Sequence, residues 1–301
     1  MVTARVKVNR LNRGAIESKM PRFGLWAWDA LECLEKLPKR VKFDLVVTSP
    51  PYNLGKSYEA RRRLTQYVRW QEEVIERVAE RIPETGSVCW QVGNYVDNGQ
   101  IEPLDLILHP VFKQLGFSLR NRIVWRFGHG LHCQRRFSGR YEVVLWYTRS
   151  DNYQFNLDAV RIPSKYPGKR AYNGPNAGKL SGHPSGRKNP EDVWDIPNVK
   201  AGHCEKTIHP CQFPVGLAER LILALTKRND LVFDPFAGVG SAGVAAALHG
   251  RRFLGCEIDK TYVRVASDRI NAALDGKADY RPHDREIYDH RRSKLSVRPS
   301  E

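Results

Sequence analysis

At 301 residues, 41% of them hydrophobic and seven of them Trp, the chain can bury the core of one sizeable α/β domain with a modest insertion, which sets disorder aside. No apolar run approaches the roughly 18 residues of a membrane-spanning helix, and the basic start MVTARVKVNRLNRGAIESK lacks the apolar stretch and cleavage site of a secretory signal. Lys and Arg outnumber Asp and Glu by 49 to 33, a formal +16, so a cytoplasmic protein with a polyanionic partner and no membrane is expected.

In chain order, a basic tail over 1–20 precedes GLWAWDALECLEKLP, a short strand and then a helix over 30–37 that Pro38 ends. FDLVVTSPPYN follows. Its apolar run over 43–47 suits a buried parallel strand, and Ser49-Pro50-Pro51 stops it because neither proline can donate to a ladder. Ser49-Pro50-Pro51-Tyr52 thus falls at the carboxyl end of a central strand, where open α/β sheets place their ligands. YVRWQEEVIERVAERI spaces Val68, Val74, Ile75, Val78 and Ile82 as a helical stripe. GSVCWQVG reads as a second buried strand, LDLILHPVFKQLGF as a helix stopped at Gly116, and SLRNRIVWRF and YEVVLWYT as further strands.

Between 119 and 148 the arginines Arg120, Arg122, Arg126, Arg135, Arg136 and Arg140 face a single acid, Glu142. Trp125, Phe127, Phe137, Tyr141, Trp146 and Tyr147 are interleaved with them, a mixture suited to phosphate contacts and base stacking. Residues 161–207 turn rich in Pro, Gly, Lys and Arg and lose periodicity apart from short pieces such as DVWDI, so they read as an inserted loop module. Regularity resumes with PVGLAERLILALT (helix), DLVFDPF (strand), a glycine turn, SAGVAAALHG (helix), RRFLGCEID (strand) and TYVRVASDRINAAL (helix). The charged residues 276–301 are expected to fray, which leaves 21–275 as the domain proper. Alternating strands and helices predict a doubly wound, mostly parallel sheet.

Two constellations point to chemistry. Asp234-Pro235-Phe236-Ala237-Gly238-Val239-Gly240 lies between an apolar strand and a helix, and its glycines let the backbone turn sharply against a ligand. Glu257, at the end of the next strand, can accept hydrogen bonds from both hydroxyls of a ribose. A packing turn alone would need no such acid, and no G-x-x-x-x-G-K-[ST] phosphate loop occurs, so an adenosine-type cofactor is expected. In Thr48-Ser49-Pro50-Pro51-Tyr52-Asn53 the prolines stiffen the loop and leave the Pro50 carbonyl outside any ladder. Ser49 adds a second acceptor beside it, which suits an amino group donating two hydrogens, and Tyr52 offers a face for an unstacked base.

Six cysteines (Cys33, Cys89, Cys133, Cys204, Cys211, Cys256) show no disulfide spacing and read as reduced. His203-Cys204 and His209-Pro210-Cys211 contain no C-x-x-C pair, which disfavours structural zinc.

Together these motifs resemble the DNA amino-methyltransferases of restriction–modification systems, which modify adenine N6 or cytosine N4. Ser49-Pro50-Pro51-Tyr52 matches their (Asp/Asn/Ser)-Pro-Pro-(Tyr/Phe) motif, and Asp234 to Gly240 their cofactor glycine motif. His209-Pro210-Cys211-Gln212-Phe213-Pro214 resembles the companion motif, and Asp29 the acid before the catalytic strand. Because the catalytic motif precedes the cofactor motif, the chain is similar to the circularly permuted β class, whose target-recognition segment lies between the two, where 161–207 falls. The resemblance implies a Rossmann-like fold and S-adenosylmethionine as cofactor. Glu257 would hold its ribose, Asp29 its adenine end or the surroundings of that end, and Asp234, Pro235, Phe236, Gly238 and Gly240 its methionine portion. Phe213 stands where related sequences often carry Lys; it cannot pair with the cofactor carboxylate, and backbone amides near Cys211 are expected to substitute.

The implied partner is double-stranded DNA, with room for a cognate restriction endonuclease and for a monomer or a homodimer. Ser49 favours cytosine N4 over adenine N6, since adenine enzymes more often carry Asp or Asn there. Pro210-Cys211 copies the Pro-Cys nucleophile of cytosine-C5 enzymes, but its surroundings are the companion motif and amino transfer needs no covalent cysteine. RNA or protein-glutamine methylation usually comes with the cofactor motif first. A binding module with a degenerate cofactor site would not need both motifs intact.

Overall fold

The computed structural model of the protein describes residues 5–8, 20–55, 61–130 and 132–285. In chain order, β1 (Lys7–Val8) and β2 (Phe23–Trp26) lead to α1 (Ala30–Lys36), β3 (Leu45–Thr48), α2 (Leu64–Ala79) and β4 (Ser87–Val92). A hairpin of β5 (Asn94–Asp97) and β6 (Gln100–Pro103), then α3 (Leu104–Gln114), β7 (Ser118–Arg126) and β8 (Tyr141–Thr148), follow. A long irregular stretch holds only the short strands β9 (Ile162–Pro163), β10 (Arg187–Lys188) and β11 (Val193–Asp195). The chain closes with α4 (Val215–Leu225), β12 (Leu231–Asp234), α5 (Ser241–Leu248), β13 (Arg252–Cys256) and α6 (Lys260–Leu274).

The main sheet runs β1-β2-β13-β12-β3-β4-β8-β7-β11. All neighbours are parallel except β8, which is antiparallel to both β4 and β7. Every residue of β2, β3, β4 and β12 is buried, because helices cover both faces and the strands can be apolar throughout. Alternation then sorts the side chains. Leu45 and Val47 point into one core with α4, α5 and α6, while Val46 points into the other with α1, α2 and α3. The doubly wound, mostly parallel sheet expected from the sequence is therefore present.

Three segments differ from the sequence reading. The described part of the N-terminal tail extends the sheet: β1 pairs with β2, Val6 donates its N–H to Asn271 Oδ1 (3.1 Å), and Arg5 meets Asp275 just past the end of α6 (3.0 Å). Within 161–207, DVWDI is scaffold, since β11 adds a parallel edge strand to β7 and buries Trp194. Fraying also does not begin at 276. Arg281 N–H donates to Glu205 (3.0 Å), His283 N–H to Glu219 (2.7 Å), and Arg220 donates to the His283 carbonyl (2.5 Å). A Cβ on Gly216 would lie 2.8 Å from the Arg281 carbonyl, so α4 keeps a glycine where this segment crosses it. The rest of both tails, 1–4, 9–19 and 286–301, lies outside the described residues.

Candidate active site

Strands β12 and β3 are neighbours in the middle of the sheet, and the chain runs outward from them in opposite directions, to β13 and β2 on one side and to β4 on the other. Such a switch point opens a crevice at the carboxyl ends of the strands. Both motifs lie there. Thr48 Oγ1, ending β3, donates to Asp234 Oδ1, ending β12, at 2.6 Å, and Phe236 N–H donates to the same oxygen at 3.0 Å. Asp234 is fully buried, and its Oδ2 has no partner among the described residues. Burial raises its pKa to about 7 against the pull of the Thr48 and Phe236 hydrogen bonds.

The turn after Asp234 is held by Ala237 N–H to the Cys256 carbonyl (2.8 Å) and Gly240 N–H to the Ala237 carbonyl (2.7 Å). Gly238 (φ +50°) and Gly240 (φ +79°) adopt the left-handed region. Their surroundings separate them. A Cβ on Gly240 would lie 2.9 Å from Ala266 Cβ on α6, whereas on Gly238 it would meet nothing closer than His209 at 3.7 Å. Glu257 follows β13 with both carboxylate oxygens fixed: Gly238 N–H donates to Oε2 and Asp259 N–H to Oε1, each at 2.9 Å. Burial raises its pKa while these backbone bonds lower it. The result is an oriented acceptor pair on the wall of the crevice.

Across the switch point, Tyr67 Oη donates to the Pro51 carbonyl at 2.8 Å. Asn53, at φ +62°, exchanges two hydrogen bonds with the Arg62 backbone (2.7 and 2.6 Å) and pins the loop that follows. The Pro50 carbonyl accepts no hydrogen bond among the described residues. Tyr52 Oη lies 3.0 Å from Ser49 Oγ and donates to Glu142 Oε2 at 3.1 Å; Gln91 Nε2 donates to the same oxygen. A Cβ on Gly93 would touch the Tyr52 ring at 3.0 Å, so the glycine makes room for it. Burial raises the Glu142 pKa to about 7 and, together with the Glu142 charge, keeps the Tyr52 phenol well above its ordinary value.

Between the two halves lies a cleft of about 530 Å³. Ser49, Pro50, Pro51, Tyr52, Asp29, Cys211, Phe213, Pro235, Phe236, Gly238 and Glu257 all line it. Asp234 and Gly240 do not: the first is buried beneath the turn and the second packs against α6. Asp29 caps α1 by accepting the Leu31 N–H on Oδ1 (2.9 Å). Cys211 donates its N–H to His209 Nδ1 (3.1 Å), which removes that amide from the set expected to meet a carboxylate. Phe213 is buried, and its carbonyl accepts from Ser241 Oγ at 2.8 Å.

Sequence reading missed Gln91, Glu142, Trp70 and the ring of His209, all on the cleft wall. His209 packs its ring against Tyr262 (centroids 4.6 Å apart), and burial lowers its pKa to about 4. The available signals were a polar residue inside the apolar strand SVCWQV and a single acid among arginines.

The arginine-rich stretch divides in two. Arg120, Arg122 and Arg126, on β7, are paired with Asp151, Asp105 and Asp195 and brace the sheet edge. Arg135 and Arg136 are exposed on the loop before β8, beside a fully exposed Phe137.

Comparison with known proteins bears on the family and the fold. The model of the N6/N4 DNA methylase family matches residues 43–268. The type II methyltransferase M.BglII of Bacillus subtilis is 47% identical over 248 residues, 82% of this chain and 68% of the relative. M.ScaI of Streptomyces caespitosus, also a type II methyltransferase, is 38% identical over 82% of this chain and 81% of its own length. The DNA adenine methyltransferase YhdJ of Escherichia coli is 32% identical over 81% of each. Among solved structures, the cytosine-N4-specific PvuII DNA methyltransferase superposes with a TM-score of 0.63 at 22% identity, covering 84% of this chain and 93% of that one, a likeness of fold. A Thermus thermophilus protein described as a DNA modification methylase, complexed with S-adenosyl-L-methionine, gives 0.59 at 26% identity, covering 84% and 94%. With its motifs assembled at one switch point and the family match spanning most of its length, this chain belongs to the N6/N4 family of DNA methyltransferases.

Proposed function

We propose that the chain methylates the exocyclic N4 of a cytosine flipped out of double-stranded DNA, with S-adenosylmethionine as the methyl donor. One observation carries this reading: Ser49 and the Pro50 carbonyl stand together at the end of β3, on the cleft that also holds the Glu257 acceptor pair. Two acceptors side by side suit an amino group with two hydrogens to donate, and a neutral Ser at position 49 favours cytosine over adenine.

The residues present fit the cofactor. Glu257 has lone pairs left for a ribose diol after its two backbone bonds, and Asp29 keeps Oδ2 for the adenine end. Asp234 has an unpartnered buried oxygen, and Pro235, Phe236 and Gly238 line the space for the methionine portion. With the Cys211 amide committed to His209 and Phe213 unable to pair, the cofactor carboxylate is left to the N–H groups in the first turn of α5, which have no acceptor within their own helix. When bound, S-adenosylmethionine supplies an electrophilic methyl carbon.

The protein's own work is alignment. Tyr52 offers a face to the base, whose removal from the stack costs about a few kcal/mol. Ser49 and Pro50 turn the amino hydrogens toward the protein and so leave the nitrogen lone pair facing the methyl. Recognition is assigned to 161–207, where Lys165, Lys169, Arg170 and Lys179 are exposed with Asn173, Asn176 and Asn189, side chains able to reach phosphates and base edges. The reading carries with it a cytoplasmic setting and room for a cognate endonuclease.

Adenine N6 is the second reading, supported by the 32% identity to a DNA adenine methyltransferase. Mass spectrometry of nucleosides from DNA methylated by the pure protein decides: N4-methylcytosine is the expected product, and N6-methyladenine overturns the base assignment.

A further inference from the structure

The geometry points to a proton relay from the target amino group through Ser49 and Tyr52 to Glu142, with Glu142 as the proton sink of the reaction. This rests on the Ser-Pro-Pro-Tyr loop being where the amino group binds, and holds for either base. Tyr52 Oη donates to Glu142 Oε2 (3.1 Å), so its oxygen is left to accept from Ser49 Oγ (3.0 Å). Ser49 has thereby given its only hydrogen inward, and its lone pairs face outward to accept from the amino group. Donor polarity along the chain is set at its far end by the Glu142 carboxylate. Gln91, from β4, holds that carboxylate through Nε2, and Trp125 of β7 pairs beside it in the sheet. Burial brings the carboxyl's titration up to about 7, while Tyr52 stays protonated. Both Glu142 and Gln91 line the cleft, so a proton gathered there can leave to water between turnovers.

The amino nitrogen forms the new N–C bond with its lone pair, and the broken C–S pair stays on sulfur and neutralises the sulfonium. The nitrogen is then positively charged with one proton too many. That proton passes to Ser49 Oγ as the Ser49 hydrogen moves to Tyr52 Oη and the Tyr52 hydrogen to Glu142 Oε2. Ser49 and Tyr52 end unchanged, the methylated base is neutral, and Glu142 is a neutral acid. When Glu142 is already protonated it donates to Tyr52, the chain of donors reverses, and Ser49 presents a hydrogen to an amino group that needs an acceptor.

Glu142→Gln keeps a polar partner for Tyr52 and cannot take the proton. In single-turnover methylation across a pH series, the wild-type rate is expected to rise through about pH 7 and level off. The Gln variant should lose that rise and fall by about 100-fold at the plateau, within the range of general-base removal. The buried protonated-carboxyl infrared signal titrating in this range, shared with Asp234 in the free wild-type protein, should be reduced but not abolished in the variant, and the lost pH rise is the change that a structural role alone would not produce. Cofactor affinity by calorimetry and DNA affinity by anisotropy should match wild type. Should Glu142→Gln fail to fold, Tyr52→Phe breaks the relay in its middle and must show the same loss of the pH rise. Either folded variant methylating at the wild-type rate with the wild-type pH rise overturns the relay. Product analysis keeps the two readings apart: N6-methyladenine removes the cytosine assignment and leaves the relay standing.

Discussion

Replacing Gly240 by Ala tests whether the glycine turn is built for packing as well as for ligand approach. Its φ of +79° lies where an L side chain strains the backbone, at roughly 1–2 kcal/mol. The added Cβ would lie 2.9 Å from Ala266 Cβ, 3.2 Å from Ala266 Cα and 3.3 Å from Ile270 Cδ1. Two of these neighbours belong to a single alanine close to the helix backbone, so α6 must move by about half an ångström to reach ordinary contact. Overpacking of this kind costs about 1–3 kcal/mol, and the two effects together give about 2–5 kcal/mol. Gly238→Ala is the control: its φ of +50° brings the strain, but the nearest atom is 3.7 Å away, so about 1–2 kcal/mol is expected. Urea unfolding of the cofactor-free protein measures both, with the slope checked for constancy. A Gly240→Ala protein no less stable than Gly238→Ala would refute the packing argument.

The carboxylates of the cleft supply two further tests. Glu257→Ala should weaken S-adenosylmethionine binding by about 1–3 kcal/mol, roughly 5- to 150-fold, because buried ribose hydroxyls lose their partner; unchanged affinity by calorimetry would remove the ribose assignment. Asp234, whose pKa burial raises from 3.8 to about 7, holds its proton more tightly folded than unfolded, so its contribution to stability is present at low pH and lost as pH rises from about 4 to 7. Asp234→Asn should therefore reduce the loss of stability across that window relative to wild type; equal slopes in thermal melts at a series of pH values would show that Asp234 ionises freely.

Much of the fold is legible in the sequence because buried parallel strands must be apolar on both faces, and runs such as FDLVV and DLVF have few alternatives. The β5–β6 hairpin escapes that reading although its signal is present: Asn98-Gly99 joins Asp97 to Gln100 with φ of +46° and +82°, the backbone a tight hairpin turn demands. The packing of 277–285 leaves no trace in the sequence pattern. Ala278 and Tyr280 touch the core, but the polar contacts that hold it, among them hydrogen bonds from Arg281 and His283 to Glu205 and Glu219, carry no periodicity. Motifs local in sequence supply most of the cleft lining, whereas Glu142 and Gln91 depend on register. They meet because β8 lies antiparallel on β4 with Val143 opposite Val92, a pairing of residues about fifty positions apart.

Register also decides how recognition should be tested. Exchanging all of 161–207 with the matching segment of a related permuted enzyme would remove β11, whose Trp194 is buried beneath Arg220 (4.8 Å to the ring centroid). It would also remove Ile196, whose carbonyl accepts from the buried Trp125 indole at 2.8 Å. Losing a buried aromatic costs about 3–5 kcal/mol, so that swap confuses recognition with folding. The strands β9 and β10 offer better boundaries. They pair Ile162 with Lys188 and Pro163 with Arg187, and Ser164 N–H donates to the Gly186 carbonyl at 3.0 Å, so the ends of 164–186 are already together. The residues between them are mostly exposed, Tyr172 at 95%, and a graft there disturbs little buried surface. Exchanging 164–186 should therefore change the methylated sequence, leave the methylated atom unchanged and keep the melting temperature near wild type. If the grafted protein still methylates its original sequence, this arm does not read DNA, and the exposed Arg135, Arg136 and Phe137 loop takes its place as the reader.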